Sequence, residues 1–171
     1  MKLFQRSGDQ HPLLVLRDAT LFPNSMASVF VNRKVSIATL EEASAADRRV
    51  LVGFQTSEAH AATLGDLWPV AVLGRIVQTA HLPDGSTRVL LQGMERRKLQ
   101  EADLGEVQHH AVSVPAPREK GSSLKDELRV IQELMREYAG RQKRIGREML
   151  QAIEREQDPE RAADIVCSQL G

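Results

Sequence analysis

Residues 66–99 read DLWPVAVLGRIVQTAHLPDGSTRVLLQGMERRKL. Residues 70–82 are rich in β-branched and aliphatic side chains, Pro83-Asp84-Gly85 follows, and residues 87–91 resume the apolar pattern, so the two runs are expected to pair as a hairpin. Proline presets φ for the first corner of a type I turn, Asp84 suits the second, and Gly85 takes the positive φ of a G1 bulge. Val70, Val72 and Ile76 point to one face and Leu73 and Val77 to the other, as Val89 and Leu91 oppose Leu90, so the strand centres are expected to be covered on both sides. A lone hairpin cannot supply two covers. Flanking strands must wrap round it, which predicts a barrel-like or strongly coiled sheet.

Towards the amino terminus, residues 1–11 are polar and expected to be a flexible end. Residues 13–16 read as a short buried strand and residues 19–22 as a second, before Pro23-Asn24-Ser25 breaks the pattern. Residues 29–31 give the next strand. Val35, Ile37, Leu40 and Ala43 then fall at mixed helical spacing among good helix formers, predicting one amphipathic helix over residues 35–46. The apolar run 50–54 is too short for a helix and reads as a strand, and residues 56–65 read as a loop with a turn of helix. Beyond the hairpin, residues 96–99 and 109–114 are expected to be the last strands.

Pro115-Ala116-Pro117 marks a boundary, continued by a polar linker over residues 118–122. Past it the hydrophobic period changes. Leu124, Leu128, Ile131, Met135 and Tyr138 lie on one helical stripe ending at Gly140, and Ile145, Met149 and Ile153 mark a shorter second helix. Asp158 is suited to cap a third, with Pro159 where its missing donor is harmless. Three short helices predict a small bundle. The expected organisation is thus a terminus (1–11), a β-rich domain (12–117) and a helical domain (118–171).

Charge is balanced, with 23 lysines and arginines against 23 aspartates and glutamates, and each half is balanced by itself. A protein built to hold a nucleic-acid backbone normally carries a basic excess, because affinity comes from neutralised phosphates. Single-strand recognition also leans on aromatic stacking, and the chain has only four Phe, one Tyr and one Trp. The single Cys167 excludes an internal disulfide and fits a reducing compartment. The opening MKLFQRSGDQ lacks the apolar run of a signal peptide, and no stretch is long enough to cross a bilayer, so a cytoplasmic protein without membrane contact is expected.

Reactive constellations are sparse. No phosphate-cradling G-x-x-x-x-G-K-S/T and no G-x-S-x-G elbow occurs. Ser122-Ser123-Leu124-Lys125 matches S-x-x-K, but its companion motifs are missing, and Ser123 with Asp126 reads better as a helix-capping box. His109-His110 would put neighbouring strand residues on opposite faces, so one packed and one exposed histidine is expected rather than a metal site. Arg141, Lys143, Arg144 and Arg147 form the densest basic cluster, at a helix junction, and Arg96-Arg97-Lys98 is a second.

Asp66-Leu67-Trp68, Gly74-Arg75-Ile76, Leu82-Pro83-Asp84-Gly85 and Gly93-Met94-Glu95-Arg96 together closely resemble the amino-terminal domain of Lon, the ATP-dependent protease. Leu14-Val15-Leu16-Arg17-Asp18 with Leu21-Phe22-Pro23 resembles that domain's opening strand, and Val29-Phe30-Val31-Asn32-Arg33 its second landmark. Asp158-Pro159 and Ala162-Ala163-Asp164 resemble its helical tail. The family usually shows tyrosine, glycine and alanine where this chain has Trp68, Ala71 and Gly74, and glycine where it has Asn32.

The resemblance implies an α+β fold: a PUA-like coiled β-barrel with one packed helix, followed by a small helical bundle. It also implies a non-catalytic domain that helps select unfolded or damaged polypeptides and organise a hexamer. ATP, magnesium and peptidase chemistry are expected only in domains outside this chain, which itself is expected to need no cofactor. A PUA-like RNA-binding module is the alternative. Apolar residues outside a clean strand pattern are the candidate substrate contacts: Phe22, Met26, Phe30 and Trp68, with Arg33 and Lys34 at the rim. Each taken singly fits a core position better. The purified chain is expected to turn over neither ATP nor casein, because it has no phosphate loop and no activated nucleophile; turnover abolished by one of its own point mutations would overturn this.

Overall fold

The computed structural model describes residues 8–56, 63–118, 124–141 and 146–168. The chain divides into two compact units, residues 1–117 and 118–171. The first unit runs β1 (Asp9–Leu16), β2 (Met26–Val31), α1 (Lys34–Ala45), β3 (Arg49–Phe54), β4 (Val70–His81), β5 (Thr87–Leu104) and β6 (His109–Pro115). Its strand order is β2-β5-β4-β3-β1-β6, and β5 also pairs with β6. That last pairing closes β5, β4, β3, β1 and β6 into a ring, leaving β2 on the first part of the β5 edge whose later part pairs with β6. Only the β1–β3 pair is parallel.

The hairpin turn is as its residues dictate. Gly85 has φ 82° and its N–H donates to the Leu82 carbonyl at 3.0 Å, while the Leu82 N–H donates to Ser86 O at 2.9 Å. The Asp84 carboxylate accepts from the Ser86 N–H and hydroxyl, and these bonds hold its pKa below the usual carboxylate range. β4 and β5 pair along their length, with register shifts at Leu73/Gly74 and Ile76/Gln78 that increase the coil of the sheet.

Alternation then divides the core in two. Leu13, Val15, Leu51, Ala71, Leu73, Leu99 and Ala111 form one cluster, supplied by every strand of the ring. Leu14, Leu16, Val50, Val52, Val72 and Ile76 form the other, covered by Leu40 and Ala43 of α1 and by Val29, Val31, Val89 and Leu91. The strand centres are therefore covered on both faces. Cover fails at Val70, where β4 begins, and at Val77, within the second register shift, and both are exposed.

The structure departs from expectation at several places. Asp9, Gln10 and His11 lie within β1 and pair with Ser113, Val112 and Ala111 rather than fraying. Residues 19–22 form no strand. Instead Phe22-Pro23-Asn24-Ser25 is a turn with Asn24 at φ 61° and the Ser25 N–H on the Phe22 carbonyl. Residues 96–99 belong to the middle of β5, which continues through Gln100 to Leu104 by pairing with β6. α1 buries Ser36, Thr39, Leu40 and Ala43, so its inward face is rotated from the apolar stripe. Thr39 can be buried because its hydroxyl donates to Val35 O at 2.9 Å and accepts the His109 N–H at 3.2 Å. Leu64–Asp66 is a 3-10 turn; residues 57–62 of the expected loop lie outside the described residues.

In the second unit, α2 (Leu124–Arg141), α3 (Arg147–Arg155) and α4 (Pro159–Cys167) pack against one another. Gly140 falls inside α2 rather than ending it. Leu128, Met135, Ile153 and Ala162 are buried there. Gln132 joins the helices by donating to Ile153 O and Glu156 O, each at 3.1 Å. The Ser122–Ser123 cap, Ile145, Lys143 and Arg144 lie outside the described residues. Asp158 caps α4, its Oδ1 accepting the Glu160 N–H at 3.0 Å with Pro159 in the first turn. Asp158→Ala is therefore expected to destabilise the 118–171 unit by about 0.5 to 2 kcal/mol, measured as a lowered denaturation midpoint for that unit alone.

Candidate functional site

β2 reads Met-Ala-Ser-Val-Phe-Val, and its period of two sends Ala27, Val29 and Val31 inward and Met26, Ser28 and Phe30 outward. The inward set packs into the cluster under α1. The outward set is left open, with Met26 56% and Phe30 68% exposed. Across the ladder, Gln92, Leu90 and Arg88 of β5 stand opposite Met26, Ser28 and Phe30. The Arg88 guanidinium lies 6.0 Å from the Phe30 ring centroid and donates to Ser28 Oγ at 2.9 Å, so it holds this face flat without hiding it.

The turn before β2 is seated by hydrogen bonds to β5. Asn24 N–H donates to Gly93 O at 3.0 Å, and Gly93 N–H to Ser25 O at 2.9 Å. Gly93 has no substitute here, because a Cβ would overlap the Phe22 carbonyl. This places half-buried Phe22 and exposed Met94 at the same end of the sheet as Met26. Met94 was not among the residues marked out by sequence. Its signal was present, in a strand position next to a glycine of close approach.

Arg33 is the N-cap residue of α1 and half-buried, and Lys34 begins the helix exposed. Phe30, Arg33 and Ser36 line a cleft of about 600 Å³ that runs between β2 and the end of β1 with Arg17, Asp18 and Ala19. Phe22, Met26, Phe30, Arg33 and Lys34 are thus gathered along β2 and its two ends. Trp68, 57% exposed, is not with them. It follows the 3-10 turn, its N–H bonded to Phe54 O at 2.9 Å. Val70 pairs with Lys98, six residues along β5 from the partner of Met26, a separation of roughly 20 Å.

Within the basic and histidine motifs, Arg97 and His110 are tied into the fold. Arg97, with a side chain only 5% exposed, donates to Asp9 Oδ2 at 2.7 Å, Glu95 Oε1 at 2.9 Å and Ser113 O at 3.1 Å. His110 Nε2 lies 2.9 Å from Glu42 Oε1, whereas His109 is buried. Among the described residues no three His, Cys, Asp or Glu side chains gather as a metal-ligand group, and no helix is long and apolar enough to cross a membrane.

Comparison with known proteins places the whole arrangement. The family described as ATP-dependent protease La (LON) substrate-binding domain matches residues 10–171. The chain is 32% identical over 169 residues to Lon protease of Xanthomonas oryzae pv. oryzae, covering 94% of this chain and 19% of that protein. It is 30% identical over 176 residues to Lon protease of Brevibacillus choshinensis, covering 97% and 22%. The chain thus spans about a fifth of the length of these relatives. Among solved structures, the N-terminal domain of a Mycobacterium avium complex Lon protease superposes with a TM-score of 0.74 at 17% identity, over 91% of this chain and 80% of that one. A Lon N-terminal domain protein from Xanthomonas campestris gives 0.58 at 14% identity, over 94% and 98%.

Burial lowers the pKa of both His11 and His109 from 6.5, with Arg97 and Arg49 adding to the effect on His11 and Arg33 and His110 to that on His109. Asp9 and Asp47 oppose it at His11, and Asp103 at His109. Both histidines are held neutral in the fold while the unfolded chain binds the proton first. Their stabilising contribution is thus complete above the unfolded value of 6.5 and lost as pH falls through it towards the folded values. The denaturation midpoint of the 1–117 unit is expected to fall from pH 7 to pH 5, and the double substitution His11→Gln and His109→Gln should flatten that slope.

Proposed function

The chain belongs to the family of Lon substrate-binding domains, and on that premise we propose that it selects and holds unfolded or damaged polypeptide through the apolar surface along β2. Phe22, Met26 and Phe30 are the anchors, Arg33 and Lys34 form the rim, and Trp68 is a separate outlying contact. The observation that carries this reading is the exposure of Met26 and Phe30 on a strand whose other face packs into the core. Two large apolar side chains left bare in this way mark a contact surface rather than a defect of packing. Methionine adds pliability, which suits a surface that must accept many sequences. The zero net charge leaves apolar contact as the main adhesive and argues against RNA as the ligand.

Few anchors must offset the ordering of a flexible chain, so each domain is expected to bind with a dissociation constant of roughly 10 to 100 μM. Useful affinity then comes from several copies acting together, in the hexamer proposed for a full-length Lon. ATP hydrolysis and peptide cleavage are proposed to lie in the remainder of such a protein, in the cytoplasm. A permanently unfolded, carboxymethylated model protein should bind with little change between roughly 50 and 200 mM salt, whereas a phosphate-driven ligand would be lost over that range. Met26→Asp should weaken binding about fivefold or more. Tighter binding of single-stranded RNA at low salt, with Met26→Asp leaving polypeptide binding intact, would overturn the reading.

A further inference from the structure

Antiparallel ladders alternate hydrogen-bonded and non-bonded pairs. The bond from Gly93 N–H to Ser25 O makes Ser25 and Gly93 a bonded pair, so Ala27, Val29 and Val31 turn their backbone groups to β5. The N–H and C=O groups of Met26, Ser28 and Phe30 therefore point to the opposite edge, where β2 has no neighbouring strand among the described residues. Edge strands are ordinarily guarded by charge, proline or a bulge. β2 has no charged residue, no proline and no register shift. Beside this unguarded edge lies the 600 Å³ cleft, with the end of β1 and Arg17, Asp18 and Ala19 as its far wall.

We infer that the cleft takes an extended polypeptide segment as an added strand on β2, so that backbone pairing as well as apolar contact holds the substrate. This deepens the function proposed above and rests on it. A polypeptide backbone is the complementary ligand because it presents a donor and an acceptor every second residue to each of Met26, Ser28 and Phe30. Alternate side chains of the segment would face inward to Leu14, Leu16 and Val29, and outward beside Phe30, with Met26 further along the same strand beyond the lining of the cleft. Leu14, Leu16, Val29 and Phe30 favour apolar side chains at alternate positions, while Arg17, Asp18, Asn32 and Arg33 give the cleft a polar mouth, so the segment selected is a β-prone one with an apolar period of two, of the kind a folded protein buries and an unfolded one exposes. Pairing reads no particular sequence, as a domain that meets many damaged proteins requires.

The test uses the 15N-labelled chain and a short capped peptide alternating valine and threonine, with an analogue N-methylated at alternate residues. Saturating peptide is expected to slow amide exchange at Met26, Ser28 and Phe30, and the methylated analogue to bind about fivefold or more weaker. Ser28→Pro removes an edge donor without touching the ladder to β5, so it should weaken binding well beyond Ser28→Ala. Peptide binding that is weakened by Met26→Asp, with edge amides unprotected and the methylated analogue equally bound, overturns strand addition and leaves the apolar surface standing. Protection that rises with concentration of the chain alone, in the absence of peptide, assigns the edge to self-association and overturns it too. Failure of the wild-type chain to bind either the peptide or the carboxymethylated protein overturns both readings.

Discussion

One strand carries more pairing than any other part of this fold. β5 is 18 residues long, and β4 occupies one of its edges from Thr87 to Lys98. Its other edge is shared end to end: β2 takes Thr87 to Gln92, and β6 takes Arg97 to Leu104. The ring closes only because β5 outlasts β2. Arg97 stands at that handover, buried, and ties the start of β1 through Asp9 and the end of β6 through Ser113. Its two carboxylate partners remain largely exposed, so the charge is held by hydrogen bonds at the barrel seam rather than by a dry ion pair. The exposed edge of β2 follows from the same arrangement, because the strand that would flank it in a continuous sheet is instead used to close the ring.

The hairpin was legible because its information is local. Pro83, Asp84 and Gly85 specify a turn in which each residue has its own steric reason, and the alternation on either side specifies the faces. The α4 cap was legible for the same reason. The extension of β5 through Gln100, Glu101 and Asp103 was hidden, since these residues are polar and face water while β6 supplies the pairing. A strand held by its backbone need not show an apolar period. The inward rotation of α1 was hidden likewise, because Thr39 is made acceptable in the core by a partner seventy residues away in sequence, the N–H of His109.

The candidate site shows where sequence reading stops. Alternation alone puts Met26, Ser28 and Phe30 on one face of β2. It does not say whether another layer lies over that face, and Met26 and Phe30, each taken singly, read as core. Cover is a property of topology: α1 lies on the cluster that includes Val29 and Val31, and among the described residues no second helix of this unit covers the other side of β2. Trp68 shows the converse. It is as exposed as Met26 but was grouped with it only by residue type, and the distance along β5 separates them.

The two adhesives proposed for β2 differ in what they would recognise. Apolar contact with Met26 and Phe30 scales with the area buried, so it ranks segments by hydrophobicity and is indifferent to their conformation. Edge pairing is indifferent to side chains and requires an extended backbone with free donors, a state that folded proteins seldom offer. A folded surface can present an exposed leucine without a free backbone, and a polar loop can present a free backbone without apolar side chains. Only an unfolded segment presents both. Each hydrogen bond is worth about 1 kcal/mol net against water, so the few that β2 can offer add discrimination without trapping the ligand. Under the function proposed, the domain must also let its substrate go, and weak terms that act in combination meet that requirement better than one strong pocket.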